Sequence, residues 1–327
     1  MNKETNYMEL IKLFTRSMLI SVVGMIFPFI YIFFPSMFVV EAVKKGIVKV
    51  MATLLLVVLL IGAIFGPLQA IVVFTIFGPL ILIFHYMITT NKSISQTLMA
   101  TSIIFFISII VLMLAFGIDS SALNSQETIN NITSFYGNIA RDAGMSESDV
   151  ISFTQTAEYF YKRFLQIMPS VLIIISIVVS YFTYTASGRA LLASGKFIKQ
   201  PSSLEFLRIP REVVFLSIAT FAITYFLRDY IGQWIGIFNI NLLNIIYFLL
   251  FANGIGFLKF LMTRYGVKRF LQFIFIGLCL AISSLQLLVI IIGGIDEIMN
   301  FRKINWGILW KIITNILTFY PILFLQF

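Results

Sequence analysis

Long apolar runs separated by short charged loops dominate the chain. A helix needs about 20 mainly apolar residues to cross the hydrocarbon core of a bilayer. The runs that meet this requirement lie at about 46–65, 67–88, 97–117, 167–187, 212–229, 239–262 and 270–294. The pattern predicts an all-α fold, a polytopic transmembrane bundle of about 8 to 10 spans.

The first apolar region, 10–43, is interrupted near its middle by Pro28. As one helix it would be about 51 Å long at 1.5 Å per residue, against a hydrocarbon core of about 30 Å. Two crossings, 10–26 and 28–43, place the basic residues of the N-terminus on the same side as most later basic loops, whereas one crossing would separate them. Because Lys and Arg concentrate in cytoplasmic loops, we favour the hairpin, with the N-terminus in the cytoplasm.

The longest polar stretch, 118–166, is predicted to lie on the extracytoplasmic side of the membrane as two amphipathic helices. Gly144 can end the first, and the sequence SESD from Ser146 to Asp149 is a capping box that begins the second. A lid over an outward-facing cavity and a structural connector are both open interpretations. Polarity thus divides the chain into segments 1–117, 118–166, 167–303 and 304–327.

The C-terminal run 306–327 contains Lys311, Asn315 and Pro321. It is apolar enough to cross the membrane, but it also suits a helix that lies in the interface. The sequence leaves both interpretations open.

The composition supports a membrane protein and argues against a nucleic-acid-binding protein. The chain of 327 residues is 60% hydrophobic and 11% charged, with a mean hydropathy of +1.00. A soluble domain needs a largely polar surface. The net charge of +9 lies mainly in loops between spans, as expected for a multi-pass protein of the cell membrane. We therefore expect the lipid bilayer as partner and no nucleic acid.

The sequence offers little for catalysis. It contains no HExxH, CxxC, GxSxG or P-loop pattern, the signatures of zinc hydrolases, thiol redox proteins, serine hydrolases and nucleotide-binding loops. We therefore expect no enzyme, no cofactor and no metal site.

Polar residues within a span are the first candidate site, because each costs free energy in lipid unless it finds a partner or a hydrated cavity. One span contains Asn239, Asn241, Asn244 and Asn253, with Gly254 beside the last. These residues are candidates for lining a ligand site. Hydrogen bonding between packed helices explains them equally well.

A basic loop between spans is the second candidate site. Its positive residues are Arg189, Lys196, Lys199, Arg208 and Arg211. They orient the protein in the membrane, and they can bind anionic head groups or a protein partner at the cytoplasmic face.

Two local ion pairs are expected elsewhere. Glu41 precedes Lys44 and Lys45 by three and four residues, the spacing of helical ion pairs. Asp296 and Arg302 are expected to pair at the end of the span 270–294.

Several short motifs follow one another along the chain: FPSMFVVEAVKKG, FGPL twice, IMPS, RIPRE, FNINLL, NGIGFLKF and GGIDEIMNFRK. Together they resemble the YybS-like family of predicted bacterial multi-pass membrane proteins. That family is thought to be distantly related to the S components of energy-coupling-factor transporters, which capture substrates. The resemblance implies an S-component-like helical core and no established substrate. The chain departs from it after about residue 303, and VKK replaces an arginine-containing turn.

Two functions follow as hypotheses. The chain is expected to be a membrane subunit that binds a small molecule for transport, with energy from a protein partner. The alternative is a non-transporting anchor or scaffold that recruits protein partners at the cytoplasmic face.

Overall fold

The computed structural model describes residues 3–201, 203–206, 211–227, 232 and 234–302, which contain helices and no strands. The α-helices are α1 Lys3–Ile26, α2 Phe34–Lys45, α3 Ile47–Phe65, α4 Pro67–Thr89, α5 Ile94–Ala115, α6 Ser120–Leu123, α7 Gln126–Asp142, α8 Glu147–Ala193, α9 Arg211–Phe226, α10 Trp234–Arg264, α11 Arg269–Ala281 and α12 Ser283–Met299. Short 3-10 helices cover Pro28–Phe33 and Leu204–Phe206. The predicted all-α class is confirmed. The predicted segment 306–327 lies outside the described residues.

Among the described residues, five helices are long and apolar enough to cross a membrane: α3, α4, α5, α8 and α10. A sixth span results if α11 and α12 together make one broken crossing. The spanning helices expose apolar side chains such as Val48, Leu56 and Leu59 of α3. Exposed side chains of this kind on a spanning helix contact the lipid bilayer.

Contacts divide the chain into two compact units. The described part of unit 1 is 3–112 together with residues 173–206, and that of unit 2 is 113–172 together with residues of 211–302. The division into 1–117, 118–166, 167–303 and 304–327 follows polarity along the sequence and stays a prediction.

In unit 1 the predicted break of the first apolar region at Pro28 is confirmed. Proline has no N–H to continue the helix, and α1 ends at Ile26. The ring of Tyr31 covers Gly24, where an added Cβ would lie 2.7 Å from a ring atom. The Tyr31 hydroxyl donates to the Ser21 carbonyl at 3.2 Å. The predicted crossing 28–43 is therefore a 3-10 helix followed by α2, which has only 12 residues.

The core of unit 1 is aromatic. Phe34 and Phe38 of α2 are fully buried, with ring centroids 4.9 Å apart, and Phe77 of α4 lies 5.2 Å from Phe34. Gly66, at φ +104°, turns the chain between α3 and α4, and Pro67 begins α4 as predicted. These contacts hold α2 against the α3–α4 hairpin.

The polar insert and the next predicted span share one helix. A single helix, α8, runs for 47 residues from Glu147 to Ala193 with Pro169 inside it, a length of about 70 Å. The predicted start of this helix is confirmed, because the Ser146 hydroxyl accepts the Asp149 N–H at 3.3 Å. Gly144, at φ +78°, follows α7 as predicted. The choice between a lid and a connector stays open.

The apolar run 270–294, predicted as one span, is not one straight helix. The chain breaks at Ile282, and α11 and α12 meet at a bend of 106°. Ile282 has extended backbone angles, and the serines that follow it compete for backbone hydrogen bonds, which favours helix ends. The Gln286 side chain donates to the Leu280 carbonyl at 2.7 Å and thereby satisfies a carbonyl beside the break.

Candidate functional site

Asn241 joins α10 to α8 at the proline of α8. Its Nδ2 donates to the Gln166 carbonyl at 2.7 Å, and its Oδ1 accepts the Ser170 N–H at 2.8 Å. In a regular helix these two backbone groups would bond to each other, and a proline at position 169 disturbs that turn. The fully buried carboxamide therefore bridges the backbone at the disturbed turn, which explains why α8 continues.

Asn239 and Asn244 also bond to neighbouring helices. The Asn244 Nδ2 donates to the Ser170 hydroxyl at 2.8 Å, so Asn241 and Asn244 face the same turn of α8. Asn239 accepts a hydrogen bond from the Thr224 hydroxyl of α9. These contacts are hydrogen bonds between packed helices, which was one of the two interpretations of the asparagines. A ligand-lining role for them stays a prediction.

Asn253 belongs to a different cluster, near the end of α12. Its Nδ2 donates to the Gly293 carbonyl at 2.8 Å and to the Glu297 carboxylate at 3.3 Å, while its Oδ1 accepts from Arg302. Arg302 donates through Nε and Nη2 to the Asp296 carboxylate at 2.9 and 2.7 Å. The predicted Asp296–Arg302 pair is confirmed, and both side chains are fully buried.

Gly254 allows the backbones of α10 and α12 to touch. A Cβ at Gly254 would lie 2.1 Å from the Val289 carbonyl oxygen, and a Cβ at Gly293 would lie 2.0 Å from the Leu250 oxygen. Asn300, in the left-handed conformation at φ +51°, ends α12 and turns the chain before Arg302. Close packing therefore accounts for Gly254 without a ligand.

We expect Asn241→Leu to lower the melting temperature of the purified protein, because it leaves the buried Ser170 N–H without this partner, at about 1–3 kcal/mol. Asn244→Leu is the matched control, since its partner Ser170 Oγ also donates to the Ile167 carbonyl at 2.7 Å. Thermal unfolding in detergent measures both. An effect of Asn244→Leu as large as that of Asn241→Leu would contradict the bridging role.

Unit 1 contains a cavity of about 350 Å³ between α1, α2 and α8. Its charged lining residues are Glu9, Lys12, Arg16, Glu41 and Lys44. The small side chains of Ala186 and Ala190 line it on α8. From the sequence, Lys12 and Arg16 only orient the protein, because the predicted hairpin does not show that α8 packs against α1 and α2.

A buried lysine forms ion pairs with both carboxylates of this cavity. Lys45 Nζ lies 2.7 Å from Glu9 and 2.8 Å from Glu41, and its side chain is 1% exposed. The predicted pairing of Glu41 with Lys44 and Lys45 is confirmed, whereas Glu9 comes from another helix. The hydrogen bond and charge of Lys45 lower the pKa of Glu9 below its usual value. The Glu9–Lys45 pair therefore stabilises the fold at a pH above the usual carboxyl pKa. This stabilisation is lost as the pH falls through the lowered pKa of Glu9.

The described residues of the basic loop before Arg211 belong to unit 1 and pack against other residues of that unit. Lys196 donates to the Val43 carbonyl at the end of α2, at 2.9 Å, and the Tyr184 hydroxyl donates to the Lys199 carbonyl at 2.8 Å. The side chains of Arg189 and Lys199 are exposed. Arg208 and the side chain of Arg211 lie outside the described residues. The described part of this second candidate site is therefore an ordered basic surface.

The described residues contain no group of three or more His, Cys, Asp or Glu side chains that could hold a metal ion. No curated protein matches the chain, and no solved structure matches it. The family model "Predicted membrane protein (DUF2232)" matches residues 11–297, which is most of the chain. The resemblance to a family of predicted membrane proteins is confirmed at this level. The chain thus belongs to the DUF2232 family of predicted membrane proteins.

Proposed function

We propose that this protein is a membrane subunit that binds a small molecule in the cavity of unit 1. The cavity is the observation that carries the proposal, because its volume of about 350 Å³ falls within the range of about 300–1,000 Å³ that is usual for ligand sites. It combines charged side chains with the apolar residues Leu13, Met37 and Val40. Such a mixture orients a ligand while removing part of it from water.

The resemblance to YybS-like proteins and S components supports a role in transport. The sequence carries no nucleotide-binding loop, so we propose that a protein partner supplies the energy and that this chain has no enzymatic activity of its own. We place the protein in the cell membrane.

The second candidate function is a membrane anchor or scaffold. The observation that favours it is Phe197, which is 77% exposed between Lys196 and Lys199. An exposed aromatic side chain among cations suits docking of a partner or of the membrane surface. Loss of partner capture in Phe197→Ser, with ligand binding unchanged, would favour this function over the first.

A variant that fills the cavity tests the binding function. A ligand at 100 times its Kd stabilises a protein by about 2.7 kcal/mol, which a screen of metabolites by melting temperature detects. We expect Ala190→Phe to lose the shift given by the ligand. Ala193→Phe is the control, since Ala193 is exposed on the same helix and does not line the cavity. A ligand shift that survives unchanged in Ala190→Phe would contradict binding in this cavity.

We expect the insert and the basic loop to face opposite sides of the membrane, with the N-terminus in the cytoplasm. The single cysteine, Cys279, is buried and is replaced by serine for this test. Ser134→Cys on α7 and Ser194→Cys after α8 introduce one exposed thiol each. A membrane-impermeant maleimide applied to intact cells should label only the first. Labelling of both, or of only the second, would contradict the orientation.

A further inference from the structure

The geometry of unit 1 points to a ligand that carries a phosphate group, which Lys12, Arg16 and Lys44 would bind in the cavity. This inference rests on the proposed function and names the chemical class of its ligand. It concerns a site at which α1 contributes two cations and α2 contributes the third.

The lining of the cavity has more positive than negative side chains. Its two carboxylates, Glu9 and Glu41, each lie within 2.8 Å of the buried Lys45 Nζ. Lys44 is 3.7 Å from Glu41, a longer and weaker approach. Among the described residues, Lys12 and Arg16 form no ion pair. The cations that line the cavity thus outnumber the carboxylates, and Lys45 already engages both of these, so the remaining field attracts an anion.

The arrangement suits a phosphate better than a carboxylate. Lys12 and Arg16 are four residues apart and therefore share one face of α1, while Lys44 lines the cavity from α2. A phosphate monoester presents three free oxygens to three donors, and an arginine can bind two of them at once through its planar fork. A carboxylate has only two oxygens and would leave one cation without a partner.

The cavity also has room for more than the phosphate group. Leu13, Met37 and Val40 line it and would contact the rest of the ligand. Two sources share this chemistry: a soluble phosphate monoester and the head group of phosphatidic acid, a phospholipid whose phosphate is a monoester. The experiment therefore uses one probe for each source.

The soluble probe is inorganic pyrophosphate, added to the full-length protein in neutral detergent with sodium chloride at matched ionic strength as reference. We expect pyrophosphate to raise the melting temperature. In the double variant Lys12→Gln, Arg16→Gln, the apparent Kd should increase by about tenfold or more, because each cation loses a charge-assisted hydrogen bond. The control Lys49→Gln, Lys92→Gln removes two exposed cations that do not line the cavity and belong to neither candidate site, and it should keep the wild-type Kd.

The lipid probe is a nanodisc of phosphatidylcholine with or without phosphatidic acid. Native mass spectrometry of protein released from the disc shows whether phosphatidic acid is retained. Retention that requires Lys12 and Arg16 identifies a lipid head group, whereas cation-dependent pyrophosphate binding without retained lipid identifies a soluble ester. The melting temperature of each variant without probe, and its elution in size-exclusion chromatography, verify folding.

The outcomes separate this inference from the proposed function. Equal effects of both double variants, or no response to either probe, overturn the phosphate inference. If a neutral metabolite then still gives a shift that Ala190→Phe removes, the binding function stands with a different ligand class. If no ligand shift responds to Ala190→Phe, the proposed function itself fails.

Discussion

Gly293→Ala is expected to destabilise the protein strongly, because the added methyl group would lie 2.0 Å from the Leu250 carbonyl oxygen and 2.7 Å from the Gly254 nitrogen. Backbone atoms cannot turn aside as a flexible side chain can, so α12 must move away from α10. Overpacking of this kind costs about 1–3 kcal/mol and occasionally more. We expect the upper end of that range, measured as thermal unfolding of the purified protein.

The neighbouring Gly294 provides the matched control. An alanine Cβ there meets no atom within 4 Å, and alanine favours a helix over glycine by about 1 kcal/mol. Gly294→Ala is therefore expected to be neutral or stabilising. If the two substitutions changed the melting temperature alike, close backbone contact at Gly293 would not be what holds α10 and α12 together.

The second large effect is expected for Asp296→Asn, which leaves the buried guanidinium of Arg302 facing an amide in place of its carboxylate. Breaking one side of a buried ion pair costs about 3–5 kcal/mol. Glu158→Gln is the control, because Glu158 pairs with Lys162 at 2.6 Å on the exposed part of α8. Exposed pairs contribute about 0–1 kcal/mol.

A double variant separates the pair from the individual charges. Asp296→Leu combined with Arg302→Met removes both charges of the pair and should cost less than Asp296→Asn alone, since neither member stays buried without the other. Thermal unfolding measures all three variants. A cost for Asp296→Asn no greater than that for Glu158→Gln would show that burial does not strengthen this pair.

The sequence predicts the membrane helices best where hydropathy and turn residues agree. The predicted spans 46–65 and 67–88 correspond to α3 and α4, with Gly66 at the turn between them. Mean hydropathy reports how apolar a stretch is and not how its helix is bent, however. A straight run and a bent run of the same residues therefore have the same mean hydropathy. The bend of 106° at Ile282 was invisible for that reason.

Long-range contacts explain the other differences. Pro169 disturbs its own turn of α8, and the carboxamide of Asn241 bridges the backbone of that turn from 71 positions along the chain. The asparagines of α10 stand out in the sequence as polar groups that need partners, although those partners depend on the packing of α8, α9 and α12. The cavity was missed because Ala186 and Ala190, which line it on α8, lie far along the chain from α1 and α2.

Native mass spectrometry of the full-length protein, purified from its membrane without added ligand, tests the central claim of a small-molecule site in unit 1 most directly. We predict a species heavier than the chain by the mass of one small molecule or one phospholipid, which gentle activation releases. The extra mass should be absent in Ala190→Phe and present in Ala193→Phe. The same extra mass in both variants, or the bare chain alone in the wild type, would contradict a ligand site between α1, α2 and α8.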